Sequence, residues 1–151
     1  MIISVGCDHA GFILRDSVLK FLNERAEVID CGVFTEERID YPDIAIKGAM
    51  YVSSGEADKC VLMCGTGIGV SIVANKLKGI RAGVCNDIQT AKLGKSHNNL
   101  NVICLGGRII EGAQVSGILS AWIDTPFEGG RHQLRIDKIS AADTEPSISA
   151  R

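Results

Sequence analysis

The residue types best suited to chemistry lie in one stretch, Cys64-Gly65-Thr66-Gly67-Ile68-Gly69-Val70-Ser71. An apolar run, Cys60 to Met63, leads into it, and a helical-looking run, Val70 to Lys76, leads out. A strand that breaks into glycines and re-enters as a helix leaves several backbone N–H groups pointing one way, and such nests attract anions. Cys64 stands at the lip. A thiol there, with the Thr66 hydroxyl beside it, suits a base or nucleophile, and the amides suit an oxyanion developing on a small carbonyl substrate. The turn is not a nucleoside-triphosphate loop, because Val70 stands where that motif needs its second glycine. A dinucleotide fingerprint belongs to the first strand–helix turn, where only Gly6 and Gly11 occur. A thiol phosphatase would need an arginine, again at Val70. The plain alternative is a buried cysteine in a tight turn, and spacing alone leaves both readings open.

Other candidates carry the same ambiguity. Asp8-His9 is either a helix cap followed by a polar first-turn residue or part of a site. His97 lies among asparagines, as a turn histidine or a functional one. Arg131, His132 and Arg135 follow Gly129-Gly130 and read as a solvated helix face or a phosphate site. Tyr41-Pro42 opens a helix, with ligand contact as the sharper reading.

Apolar, β-branched runs place strands at 2–6, 27–31, 59–63, 80–84 and 101–105. Helical spacing places helices at 10–25, 43–54, 68–76, 87–95 and 111–122, with a helical tail towards the C-terminus. Alternating strands and helices argue for a three-layer α/β/α, Rossmann-like fold around a five-stranded parallel sheet, with ligands at the carboxyl ends of the strands. Asp8, His9, Cys64, Thr66 and Arg108 then share one rim. His97 precedes its strand, so the rim argument does not place it.

At 151 residues the chain reads as one domain over 1–142, followed by a polar, mobile tail over 143–151. Apolar residues make up 46% and charged residues 23%, and a net charge of −2 gives no reason to expect nucleic acid or an anionic membrane as partner. No stretch approaches the roughly 20 apolar residues of a membrane span. The opening Ile2-Ile3-Ser4-Val5 runs straight into a strand pattern, so a cytoplasmic location is expected. Cys7, Cys31, Cys60, Cys85 and Cys104 sit in or beside apolar runs, where a free thiol packs as a small hydrophobe. No Cys-x-x-Cys spacing occurs and the histidines do not cluster with cysteines, which argues against zinc.

Several stretches together resemble one family. They are Cys-Asp-His-Ala-Gly at 7–11, Asp-Tyr-Pro-Asp at 40–43, Cys-Gly-Thr-Gly-Ile-Gly at 64–69, Ala-Asn-Lys at 74–76, Gly-Ile-Arg-Ala at 79–82, His-Asn-Asn-Leu-Asn-Val at 97–102 and Glu-Gly-Gly-Arg-His-Gln-Leu-Arg at 128–135. In order and spacing they resemble the type B ribose-5-phosphate isomerases, grouped with allose- and galactose-6-phosphate isomerases. The resemblance implies interconversion of ribose 5-phosphate and ribulose 5-phosphate, with Cys64 as the base. Another branch of the family carries a glutamate where this chain has Val70. Gly65, Thr66, Gly67, Ile68 and Gly69 would then supply N–H donors to a cis-enediolate. Asp8 and His97 resemble the pair that opens the furanose ring; Asn98 would hold sugar hydroxyls and Tyr41 would line the site. His9, Arg108, Arg131 and Arg135 resemble the phosphate-binding set.

The resemblance also implies a homodimer, or a tetramer, with each site shared between chains. Two groupings of the contributors are open: His97 and Asn98 with Arg108, or His9 with Arg131 and Arg135. No metal and no organic cofactor is implied. Departures from the family are Lys95 where arginine is common, Asn99 where aspartate is common, and residues 143–151, which have no counterpart.

Overall fold

The structure is a computed structural model that describes residues 1–33 and 37–143. Five strands alternate with helices: β1 (Ile2–Cys7), α1 (Phe12–Asn23), β2 (Glu27–Asp30), α2 (Tyr41–Ser53), β3 (Lys59–Cys64), α3 (Ile68–Ala74), β4 (Ala82–Val84), α4 (Ile88–Asn98) and β5 (Val102–Gly106). Two further helices, α5 (Gly112–Asp124) and α6 (Arg131–Ala142), complete the order. Every strand pair is parallel, in the order β2-β1-β3-β5-β4. This is the α/β, Rossmann-like sheet expected from the alternation.

β3 lies mid-sheet and shows how the layers form. Successive side chains leave a strand on opposite faces. Val61 and Met63 join Ile3 and Val5 of β1 in the core against α1, α4 and α5. Cys60, Leu62 and Cys64 face the other way, onto Ala45 and Ala49 of α2 and Val70 and Ala74 of α3. A strand buried on both faces needs apolar residues at almost every position, which is why 60–64 reads as an unbroken run. Trp122 of α5 is fully buried, and its indole N–H donates to the Leu100 carbonyl at 2.9 Å. That bond satisfies the ring's one polar atom, so the whole side chain contributes apolar burial of about 2–3 kcal/mol.

Element ends depart from the spacing by at most three residues, for local reasons. Helix α1 begins at Phe12 rather than at 10, because the Asp8 carboxylate holds the amides of Ala10 (2.9 Å) and Gly11 (2.8 Å) in a turn. Helix α2 begins at Tyr41, with Asp40 as N-cap and Pro42 in its first turn, where a missing N–H costs nothing. Strand β4 starts at Ala82 because Ile80 is still in a turn, its N–H donating to the Leu77 carbonyl at 3.2 Å. Helix α4 runs on to Asn98, so the reading of His97 as a turn residue is corrected. It stops at Asn99, whose φ of 45° suits asparagine in the left-handed region. Asp143, assigned to the tail, caps α6 and accepts the Gly79 N–H at 2.9 Å; residues 144–151 lie outside the described part. Among the described residues no helix is long and apolar enough to cross a membrane.

Candidate active site

The strand order decides where a ligand can sit. From β1 the chain first moves to β2 on one side and then to β3 on the other, so the loops after β1 and β3 diverge. Such a switch point opens a crevice at the carboxyl ends of the strands. Here the crevice is a cleft of about 280 Å³ lined by Asp8, His9, Ala10, Tyr41, Cys64, Gly65, Thr66, Gly69 and Arg108.

Cys64 ends β3, is 5% exposed and lines the cleft. The Gly67 N–H donates to its Sγ at 3.2 Å. Gly67 has a φ of 83°, a conformation that lets the chain double back towards the sulfur and that a Cβ disfavours. The Ile68 N–H donates to Thr66 Oγ1 at 3.2 Å. Two of the five amides expected to face an oxyanion are therefore engaged inside the turn. One directs its positive end at the sulfur, and the other fixes the hydroxyl. Gly67 and Ile68 support the cleft without lining it.

The rim is held by neighbouring backbone. The amides of Gly107 and Arg108 donate to the carbonyls of Cys64 (2.8 Å) and Gly65 (3.0 Å), which lays the Arg108 side chain over Gly65. The Tyr41 ring lies against Gly69, where any Cβ would come within 2.7 Å of Cε2. Both turn bonds to Asp8 fall on Oδ1, and neither uses Oδ2. His9 Nδ1 is buried without a hydrogen-bond partner. Asn86 clamps two strand ends, its Nδ2 donating to the Thr66 carbonyl (3.2 Å) and its Oδ1 accepting the Gly106 N–H (2.8 Å).

His97, Asn98, Arg131 and Arg135 are not at this cleft. His97 is in the last turn of α4, and its ring stacks on that of His132 with centroids 4.3 Å apart and planes 7° apart. Glu128 spans the pair, with Oε1 3.8 Å from His97 Nε2 and Oε2 3.4 Å from His132 Nε2. Burial first, then the charges of His97 and Arg131, pushes the His132 imidazolium below the usual histidine range. Asn98 is exposed at the end of α4, and its carbonyl accepts from Arg81 Nε at 3.2 Å. Arg131 and Arg135 are exposed on α6 while His132 turns inward, so the basic group is only partly a solvated face. His9 and Arg108 share one cleft, a combination that neither of the two expected groupings contains.

Residues 3–139 match the model of the family described as Ribose/Galactose Isomerase. The chain belongs to that family. Ribose-5-phosphate isomerase B of Escherichia coli (strain K12) is 46% identical over 142 residues, covering 93% of this chain and 95% of the relative. Among solved structures, ribose-5-phosphate isomerase B of Clostridium thermocellum superposes with a TM-score of 0.92 at 42% identity, over 95% of this chain and 97% of that one. Ribose-5-phosphate isomerase B of Mycoplasma genitalium, solved with bound ribulose-5-phosphate, gives a TM-score of 0.92 at 36% identity, over 96% of this chain and 97% of that one.

Within this family member the other five cysteines pack as small hydrophobes. All five are buried and free. Burial pushes the thiol of Cys7 up to about 11, that of Cys60 to about 12 and that of Cys85 to about 11. Burial likewise raises Cys31, and Cys104 well above the ordinary thiol value. None of these thiols ionises near neutral pH. Sequence reasoning missed Asn86, which has no signal beyond its place after β4. It also missed Glu128 as a partner of two histidines, because the two helices it bridges are distant in the chain. Lys95 and Asn99, the two family departures, hydrogen-bond each other through Nζ and Oδ1.

Proposed function

We propose that the chain is an aldose–ketose isomerase that interconverts D-ribose 5-phosphate and D-ribulose 5-phosphate. One observation carries the reading. Cys64, its sulfur facing an amide of its own turn, lines one cleft together with Asp8, Thr66, Tyr41 and Arg108. Membership of the family and the activity named for its relatives support the same substrate.

The chemistry follows from these groups. Ring opening needs an acid and a base near the ring oxygen and the anomeric hydroxyl. Asp8, through Oδ2, and His97 take those roles. The open aldehyde acidifies C2, and the Cys64 thiolate removes that proton. Negative charge moves onto O1, where the Thr66 hydroxyl and the amides of Gly65 and Gly69 meet it. Donors fixed in advance stabilise the enediolate more than the neutral carbonyl. A proton passes from O2 to O1, the thiol returns the C2 proton to C1, and the carbonyl now stands at C2 of the ketose.

A phosphate held at a distance keeps C1 and C2 under the sulfur. His9 and Arg108 hold it from within the chain. His97, Asn98, Arg131 and Arg135 reach the cleft of a second copy, so the working unit is a homodimer with shared sites. The exposed guanidiniums of Arg131 and Arg135 support this arrangement. So does the position of His97 on α4, away from its own chain's Asp8. A cytoplasmic location accords with a freely diffusing sugar phosphate as substrate.

Proton NMR of ribose 5-phosphate with the protein in deuterium oxide tests the activity. Ketose signals and exchange at C2 are expected. Neither signal would reduce the chain to a phosphosugar-binding module. Cys64→Ala abolishes both signals while phosphosugar binding, read by calorimetry, survives; a fully active variant would remove Cys64 as the base. Comparing kcat/KM on five- and six-carbon sugar phosphates separates this reading from an allose- or galactose-6-phosphate isomerase.

A further inference from the structure

We propose that His132 and Glu128 are positioning residues for His97: the His132 ring fixes the plane of the His97 imidazole, and the Glu128 carboxylate fixes its edge. The inference deepens the ring-opening role proposed for His97 and rests on it. The two rings stack with centroids 4.3 Å apart and planes 7° apart, so their edge nitrogens run parallel. Each nitrogen meets a different oxygen of one carboxylate. His97 Nε2 is 3.8 Å from Oε1, and His132 Nε2 is 3.4 Å from Oε2. An imidazole in the last turn of a helix is otherwise free to turn about its side-chain torsions. A group that moves a proton must be held near one geometry, since misplacement of about 1 Å costs on the order of 100-fold in rate.

The backbone sets both partners in place. The Glu128 N–H donates to the carbonyl of Ser96, the residue before His97, at 3.0 Å. Gly129 and Gly130 follow with φ of 65° and 55°, and a Cβ at either would meet nothing within 4 Å. With open space around them, these glycines serve the torsions rather than the packing. The reversal they allow brings His132, in the first turn of α6, over the end of α4, where its N–H donates to the Gly129 carbonyl at 3.0 Å. His132 is 5% exposed, and its Nε2 has no hydrogen-bond partner. An aliphatic side chain would fill that place without leaving a buried polar atom unsatisfied, but it would offer no flat face. The face is also kept neutral. Burial, His97 on α4, and Arg131 and Arg135 on α6 all disfavour a second proton on His132, and Glu128 opposes them. His97 can therefore change charge beside a ring that does not.

Ribulose 5-phosphate separates ring opening from proton transfer. With its O5 phosphorylated, this ketose has no hydroxyl placed to close a furanose ring, so deuterium wash-in at its C1 needs only the Cys64 step. His132→Ala lowers kcat on ribose 5-phosphate by about tenfold or more, out of the roughly 10²–10⁴-fold that positioned acid–base transfer supplies. KM and wash-in at C1 of ribulose 5-phosphate stay within about twofold of the parent. His132→Phe, which restores a flat ring, recovers most of the loss. Glu128→Gln and His97→Gln show the same split between turnover and wash-in. In His97→Gln the His132 ring, followed by proton NMR, titrates at higher pH, because the neighbouring charge is gone. Circular dichroism checks that each variant folds. Should His132→Ala fail to fold, the exposed Glu128→Gln decides.

Wash-in that falls in parallel with turnover makes His132 a packing residue of α6 and overturns the proposal. So does parental turnover in His132→Ala or Glu128→Gln, or an unmoved His132 titration in His97→Gln. A fully active His97→Gln removes His97 from ring opening, and the positioning role falls with it. An impaired His97→Gln beside a parental His132→Ala leaves His97 in the reaction and removes only its proposed support.

Discussion

Gly67→Ala separates backbone strain from steric crowding in the turn that supports the cleft. Gly67 has a φ of 83° and Gly55 a φ of 82°, so an alanine at either meets the same left-handed backbone. That strain costs roughly 1–2 kcal/mol. The surroundings differ. A Cβ at Gly55 meets nothing within 4 Å, whereas one at Gly67 lies 3.1 Å from the Cys104 carbonyl oxygen and 3.2 Å from Val84 Cγ1. The carbonyl cannot easily retreat, because it accepts the Cys85 N–H at 3.0 Å within the sheet. Overpacking of this kind adds about 1–3 kcal/mol. Gly67→Ala therefore loses roughly 2–5 kcal/mol in urea unfolding, and Gly55→Ala only about 1–2. A shift of the turn also displaces the amide that meets the sulfur, and misplacement of about 1 Å costs on the order of 100-fold in rate. Isomerase assays are run below the unfolding transition of each variant. Equal stability losses at the two sites, or full activity in folded Gly67→Ala, would refute both the crowding argument and the role of the turn.

Three further outcomes are expected. Trp122→Phe leaves the buried Leu100 carbonyl without its donor and opens a void, lowering stability by roughly 2–4 kcal/mol in equilibrium unfolding. Burial, then the neighbouring Lys59, lowers the Lys95 ammonium from 10.5 to about 8. Between those values the unfolded chain binds more protons than the folded one, so this group's contribution to stability rises with pH through that window. Unfolding of Lys95→Met beside the parent at about pH 7 and about pH 10 should show the parent gaining on the variant as pH rises; a constant difference would mean the ammonium is not disfavoured. Arg135→Ala should raise KM more than it lowers kcat, and the reverse pattern would move Arg135 out of a simple binding role.

The sequence by itself determined the strands, the turn at 64–69 and the family. β3 must be apolar throughout because both of its faces are covered, and Gly67 must be glycine because its φ is positive; both requirements leave marks in a linear string. Helix α4 was less legible at its end, where Ser96, His97 and Asn98 carry little apolar periodicity and only Asn99, in the left-handed region, closes the helix. Tertiary structure alone decided the strand order, and with it the meeting of Asp8 and Cys64 across the switch between β1 and β3. It also decided that Asn86 clamps Thr66 to Gly106, and that His97 stacks on His132 over Glu128. Periodicity reports which face of an element is covered. It carries no record of which distant element covers it, because burial is set by shape and area rather than by chain separation.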